Sequence, residues 1–158
     1  MNQSKPSDGF HLSPVGTIHR EEGSISIKIL PALKPALKEL ETFSHALVFW
    51  WFSEFDDEKS RTTLQFDRMP FDAPCLGVFA CRSPLRPNPI GLSTVKLLKV
   101  DHRRGVVEIA DIDAFDGTPV LDIKAYLPHC DRVKHVSVPA WAAGWPDCLP
   151  ENGLGLEE

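Results

Sequence analysis

The stretch "CRSPLRPNPIGLS" (residues 81–93) sets Pro84, Pro87, Pro89, Arg82 and Arg86 close together between two apolar runs. Each proline fixes its own φ and biases the residue before it (Ser83, Arg86, Asn88) toward extended geometry. Guanidinium groups leaving so stiff a base can grip a carboxylate or phosphate at low ordering cost. The same residue types also suit a solvated connector whose arginines pair with surface carboxylates, and residue types alone leave both readings open.

A second stretch, "DAFDGTPVLDIK" (113–124), marks a tight turn at Asp116-Gly117, with Thr118 and Pro119 leading into a strand. Backbone groups of such a turn can hydrogen-bond a ligand, or close an ordinary hairpin. Asp122 and Lys124 alternate with Leu121 and Ile123, so they share one face and can pair with neighbours there. In the third stretch, "FSHALVFWWF" (43–52), His45 stands at the mouth of a buried run, as a base, a ligand or a structural histidine. Phe49, Trp50, Trp51 and Phe52 read as core, with one face able to stack on a purine. Tyr126, the single tyrosine, ends a strand and can place its hydroxyl in a cleft. No Ser/His/Asp or Cys/His constellation has interpretable spacing. Cys75, Cys81, Cys130 and Cys148 form no CxxC pair, so neither a metal site nor disulfides are expected.

The elements that must position these residues are mostly strands. "SISIKIL" (24–30) alternates Ile25, Ile27 and Ile29 with Ser26 and Lys28, a period-2 strand pattern. Strands are also expected over 10–18, 45–52, 61–67, 75–81, 90–100, 105–113 and 118–127, and one or two helical turns after Pro35. Short strands in quick succession predict a mostly β chain, a small single-domain β-barrel with short helical turns. No GxGxxG follows a strand, which removes a Rossmann reading. The expected division is a loose tail over 1–8, a barrel domain over 9–138 and a Trp/Pro/Gly-rich tail over 139–158. In that tail Trp141 and Trp145 are candidates to dock on the domain or a partner.

With 158 residues, 42% hydrophobic and 25% charged, the chain can bury one core. Its net charge of −5 argues against non-specific coating of nucleic acid, so any such contact must use a local basic patch. No apolar run reaches the ~20 residues of a membrane helix. The polar start "MNQSKPSDGF" carries no signal-peptide stretch, so the cytoplasm is the expected location.

"GVFACRSPLRPNPIGLSTVKLL" (77–98) and "DGTPVLDIKAYLPHCD" (116–131), preceded by "FSHALVFWWF" (43–52), resemble the TsaA-like family of TrmO-type tRNA threonylcarbamoyladenosine methyltransferases. The resemblance runs in order over residues 10–135. It implies a dimeric β-barrel that binds S-adenosyl-L-methionine near the subunit interface. Arg82 and Leu92 match cofactor-contacting positions, as do Asp116, Gly117, Thr118 and Pro119 of the turn that closes on the cofactor. Ser53 and Glu54 fall where the family often has a His-containing pair, a match of position and not of residue. Arg82 and Arg86, with Lys96 and Lys99 nearby, would form a local basic patch, and Arg86, Asn88 and Lys96 would meet the tRNA. Candidates for taking the proton of the methylated amine are Asp122, Tyr126 and His45.

Three departures stand out. The "PRQ"-type segment after the first strand is replaced by the shorter "HREEGSISIKI" (19–29), "AYL" stands for "PYL", and the extra C-terminal domain of longer bacterial members is absent from the sequence. The implied activity is methyl transfer to the exocyclic amine of threonylcarbamoyl-modified adenosine in tRNA, by a homodimer. The alternatives are a non-catalytic S-adenosylmethionine or nucleoside-binding module, and methyl transfer to another RNA or small molecule.

Overall fold

The structure, a computed structural model, describes residues 9, 11–67, 69 and 72–151. The expected tail over 1–8 and the end of the 139–158 segment lie outside the described residues.

Alternating β-branched side chains build the molecule. β1 (Gly16–Glu21) turns at Glu22-Gly23 into β2 (Ser24–Ile29), with Glu21 opposite Ser24 and Gly23 at φ 74°. β3 (His45–Trp51) follows two 3-10 turns. After it come α1 (Glu58–Thr62) and a small two-stranded sheet of β4 (Gln65–Phe66) and β5 (Leu76–Gly77). The long β6 (Ile90–Asp101), β7 (Val106–Ile109), β8 (Pro119–Ala125) and the short α2 (Pro128–Asp131) complete the described elements.

Six strands close a barrel in the order β1-β2-β7-β6-β3-β8, every neighbouring pair antiparallel. Ile18, Ile27, Val48, Val95, Val107 and Val120 point inward, none more than 1% exposed. Burial of each such side chain contributes about 1.5–3 kcal/mol before ordering costs. Their partners in the alternation, such as Thr17 and Lys28, face outward.

The expected β-barrel with short helical turns is therefore what the chain forms, but several boundaries differ. The first strand starts at Gly16, beyond Pro14, and runs to Glu21. Residues 61–67 are not one strand. Asp57 caps α1, accepting hydrogen bonds from Ser60 N at 3.0 Å and Ser60 Oγ at 2.6 Å, which draws Arg61 and Thr62 into the helix. Of 75–81 only Leu76–Gly77 pairs, before a 3-10 turn over Val78–Ala80. Pro31 and Pro35 hold 31–37 in a 3-10 turn, and Glu39 at φ 68° separates it from the next.

One irregularity shapes the site. β6 pairs with β7 from Leu97 to Asp101, with a register break between Leu97 and Lys99. The last bond between the two runs is Ala110 N–H to Lys96 O, 3.0 Å. From there the chain leaves β6, and Ile90–Val95 is laddered to β3 alone. The barrel wall is split along this line.

Candidate functional site

The proline-rich loop over 81–89 is braced at several points. The Arg86 guanidinium donates to the carbonyls of Val78 and Cys81, both at 2.9 Å, and its Nε is buried without a hydrogen-bond partner. Phe52 N–H donates to Pro89 O at 2.8 Å, tying the loop to the end of β3. From α1, Arg61 donates to Pro87 O at 3.0 Å and to Asp56 at 2.6 Å, with its guanidinium 5.5 Å from the centre of the Trp51 ring. Trp51 Nε1 donates to the other Asp56 oxygen at 3.0 Å. These hydrogen bonds, Arg61 first and Trp51 second, hold the Asp56 carboxyl below the usual carboxylate range. Arg82 stands exposed on this framework with no hydrogen bond or ion pair among the described residues.

The facing loop, 110–118, is held by Arg20 of β1. Its Nε donates to Ala114 O at 2.7 Å and its Nη2 to Ile112 O, while its backbone N–H donates to Asp116 Oδ1 at 2.9 Å. Gly117 takes the left-handed φ of 78° that the turn needs, and donates to Ile18 O at 2.9 Å. Ile112 and Ala114 are each 2% exposed, sunk into the core. Asp113, between them, faces the other way.

Two hollows of about 280 Å³ each meet where these loops approach. The first is walled by Trp50–Phe55 on one side and Asp113–Thr118 on the other, with Arg82 and Pro84 at its rim. The second fills the split in the barrel, between Ile90–Thr94 and Asp111–Asp113, with Arg82, Arg86 and Leu149. Trp50, Phe52, Arg82 and Asp113 border both. The Trp50 indole packs edge-on to Phe52 (centroids 4.3 Å apart) and donates to Ser93 Oγ at 3.1 Å. It lies across Gly91, where a Cβ would fall 2.4 Å from the indole. Asp113 is pushed above the ordinary carboxylate range, mainly by burial and then by the charge of Asp111, with Arg20 opposing. A third, wider hollow of about 720 Å³ continues past Arg82 to His45, Lys96 and Tyr126, bordered by Asp147 and Leu149–Glu151.

Of the residues singled out in the sequence, Arg82, Ser53, Glu54, Asp116, Gly117 and Thr118 come together around the first hollow. Leu92 and Arg86 line the second instead. Pro119 opens β8 opposite Thr17 and borders none of the three hollows. His45, Tyr126 and Lys96 share the third, where His45 Nδ1 is 2.9 Å from Ser44 Oγ and the His45 and Tyr126 rings meet edge-on. Asp122 stands apart, opposite Phe49 on the outer face of β8 and paired with Lys124 Nζ at 2.6 Å. Asn88 is exposed and borders none of the hollows. The expected basic cluster is thinned: Arg86 is spent on loop carbonyls, and Lys99 lies beyond the register break, 3.5 Å from Glu108. Trp141 and Trp145 stack edge-on with each other at 5.5 Å.

Three residues escaped sequence reasoning. Arg20 and Arg61 act through partners far along the chain, which no local pattern signals. Asp113 had a signal, the run "DIDAFD" before the turn.

The first hollow suits a ligand with a carboxylate, a cationic centre and a flat heteroaromatic ring. Arg82 offers an exposed guanidinium, Glu54 and Asp113 offer negative charge, and Trp50, Trp51 and Phe115 offer ring faces. Those three features are combined in S-adenosylmethionine, so the residues present fit it.

Residues 10–132 match the tRNA-methyltransferase O N-terminal domain family. A probable S-adenosyl-L-methionine-binding protein of Archaeoglobus fulgidus is 40% identical over 132 residues, which cover 83% of this chain and 33% of that one. The tRNA (adenine(37)-N6)-methyltransferase of Escherichia coli is 40% identical over 104 residues, 65% of this chain and 44% of that one. The crystal structure of TrmO from Pseudomonas aeruginosa superposes with a TM-score of 0.63 at 30% identity, covering 82% of this chain and 62% of its own. The chain thus spans between a third and under two thirds of these relatives' length. It belongs to the tRNA-methyltransferase O N-terminal domain family.

Proposed function

We propose that this protein binds S-adenosyl-L-methionine in the first hollow and transfers its methyl group to the N6 amine of a modified adenosine in tRNA. One observation carries the reading: Arg82, with no partner among the described residues, and the Asp116–Thr118 turn border the same aromatic-walled hollow. When bound, the donor supplies an electrophilic methyl on a cationic sulfur that leaves as a neutral thioether. The protein's share is placement and charge. Arg82 pairs the donor carboxylate, the turn's backbone groups meet the adenine edge, and Glu54 faces the cationic end. Methyl transfer is an in-line displacement, so holding both reactants in fixed geometry supplies most of the acceleration. The named activity of the Escherichia coli relative and the threonylcarbamoyl acceptor implied by the motifs support this reaction class. Lys96 is an exposed cation of the third hollow beside Arg82, and tRNA backbone would be met there. A homodimer working in the cytoplasm is part of the same reading. Among the described residues no helix is long and apolar enough to cross a membrane.

A second reading, a donor-binding module without transfer, is favoured by the β1–β2 hairpin standing in place of the "PRQ"-type segment, and by the name of the Archaeoglobus relative. Calorimetric titration with S-adenosylmethionine tests the common part. Arg82→Ala is expected to weaken binding about 10- to 100-fold, the loss of one charge-assisted pair, with Tm unchanged. Unchanged affinity would remove Arg82 from the site. Incubation with labelled donor and tRNA from a strain lacking its own enzyme separates the two readings: label in tRNA supports the enzyme, and binding without transfer supports the module.

A further inference from the structure

We infer that Asp113 is the proton acceptor of the reaction and that the adenosine to be methylated enters through the second hollow, the split between β6 and residues 111–113. This rests on the donor occupying the first hollow. Two hollows sharing one boundary can bring two reactants to contact, and the group that serves them must stand on that boundary.

Among the described residues Asp113 is the one carboxylate bordering both. Glu54 and Asp116 line the first alone, and Asp116 already accepts the Arg20 backbone N–H. Asp111 lines the second and third. The candidates drawn from sequence fare worse: Asp122 pairs with Lys124 on the outer face, while His45 and Tyr126 lie in the third hollow. Asp113 accepts no hydrogen bond among the described residues and is aimed by its neighbours. Ile112 and Ala114 are buried and their carbonyls are fixed by Arg20, which leaves the 113 side chain to face the hollows. Asp113 is exposed to the hollows, and the upward direction of its titration, from partial burial and the charge of Asp111, makes it a stronger base than an isolated aspartate.

In the step, the nitrogen–methyl bond forms as the sulfur–methyl bond breaks. Sulfur keeps the electron pair, and the proton on nitrogen passes to the Asp113 carboxylate and then to water. The charged groups facing Asp113 are Arg20 from β1, Arg82 and Arg86 from the proline-rich loop, Glu54 from the turn after β3, and Asp111 and Asp116 from its own loop.

The test compares wild type and Asp113→Asn. The variant, which loses one of the negative charges near the donor, is expected to bind S-adenosylmethionine no more than about tenfold more weakly and, with donor saturating, to methylate tRNA at least 100-fold more slowly in single turnover. It should also lack the rise in rate with pH that is expected of wild type as Asp113 ionises. A variant within threefold of the wild-type rate, or one keeping the same rise, overturns the inference while leaving the methyltransferase reading intact. Wild-type protein that binds the donor but methylates no tRNA overturns that reading and this one together. Carboxyl-detected NMR titration of the ligand-free protein gives a readout apart from activity. An Asp113 midpoint above that of an exposed aspartate supports the role, and an ordinary midpoint overturns it.

Discussion

Two loops face each other across the first hollow, one stiffened from within and the other from far along the chain. Residues 81–89 carry three prolines, and Arg86 donates back to carbonyls five and eight residues away. Residues 110–118 contain no proline, and their shape depends on Arg20, 92 to 96 positions distant. Local rigidity survives most single changes because several residues share it. Borrowed rigidity concentrates in one side chain.

The largest effect is therefore expected at Arg20. Arg20→Met strands the Ile112 and Ala114 carbonyls at the barrel mouth. It should cost about 2–4 kcal/mol in urea unfolding, with donor affinity falling at least tenfold. A loss under about 0.5 kcal/mol would show that the acidic loop holds its own shape.

Arg61→Met should cost less, about 1 kcal/mol, and shift donor affinity only a few-fold, because the prolines and Arg86 still hold the other loop. Its deficit also carries a pH signature. The folded Asp56 carboxyl titrates below its unfolded value, so the pair stabilises above about pH 4 and is lost as acid protonates the folded carboxyl. The gap between wild type and Arg61→Met should narrow below that pH to the share of the Pro87 contact, as read by Tm across a pH series.

The smallest effect belongs to Asp113→Asn and has the opposite sign. A carboxyl whose folded pKa is raised is disfavoured in its charged form, so stability falls as pH rises through the interval between the unfolded and folded values. The variant should equal or slightly exceed wild-type Tm at neutral pH and match it below about pH 4. A lower Tm at neutral pH would mean that the charged Asp113 supports the loop.

What was legible in the sequence divides along the same line. The alternation in "SISIKIL" and the continuous run at 45–52 gave strands because side-chain period is a local property. The prolines and Asp116-Gly117 marked the two loops for the same reason. Strand ends were misplaced where a capping contact outweighed alternation, as at Asp57 and Ser60. The motif residues around Arg82 and Asp116 do gather, yet Leu92 and Arg86 line the second hollow, Leu92 by the register of β3 against β6 and Arg86 by its bonds to Val78 and Cys81. Asp122 was drawn toward the chemistry by its position after the turn, but the shift in pairing between Phe49 and Trp50 sets it opposite Phe49 on the outside. Arg20 and Arg61 were invisible because their value lies in carbonyls that only folding brings near.

The indole of Trp50 is wedged over a residue with no side chain and borders both cavities at once. It is only 4% exposed, so a molecule settling in either cavity changes the polarity at its border rather than stripping water from its faces. With Trp51, Trp141 and Trp145 replaced, its emission becomes an internal optical gauge of the order in which two molecules arrive, with no label attached.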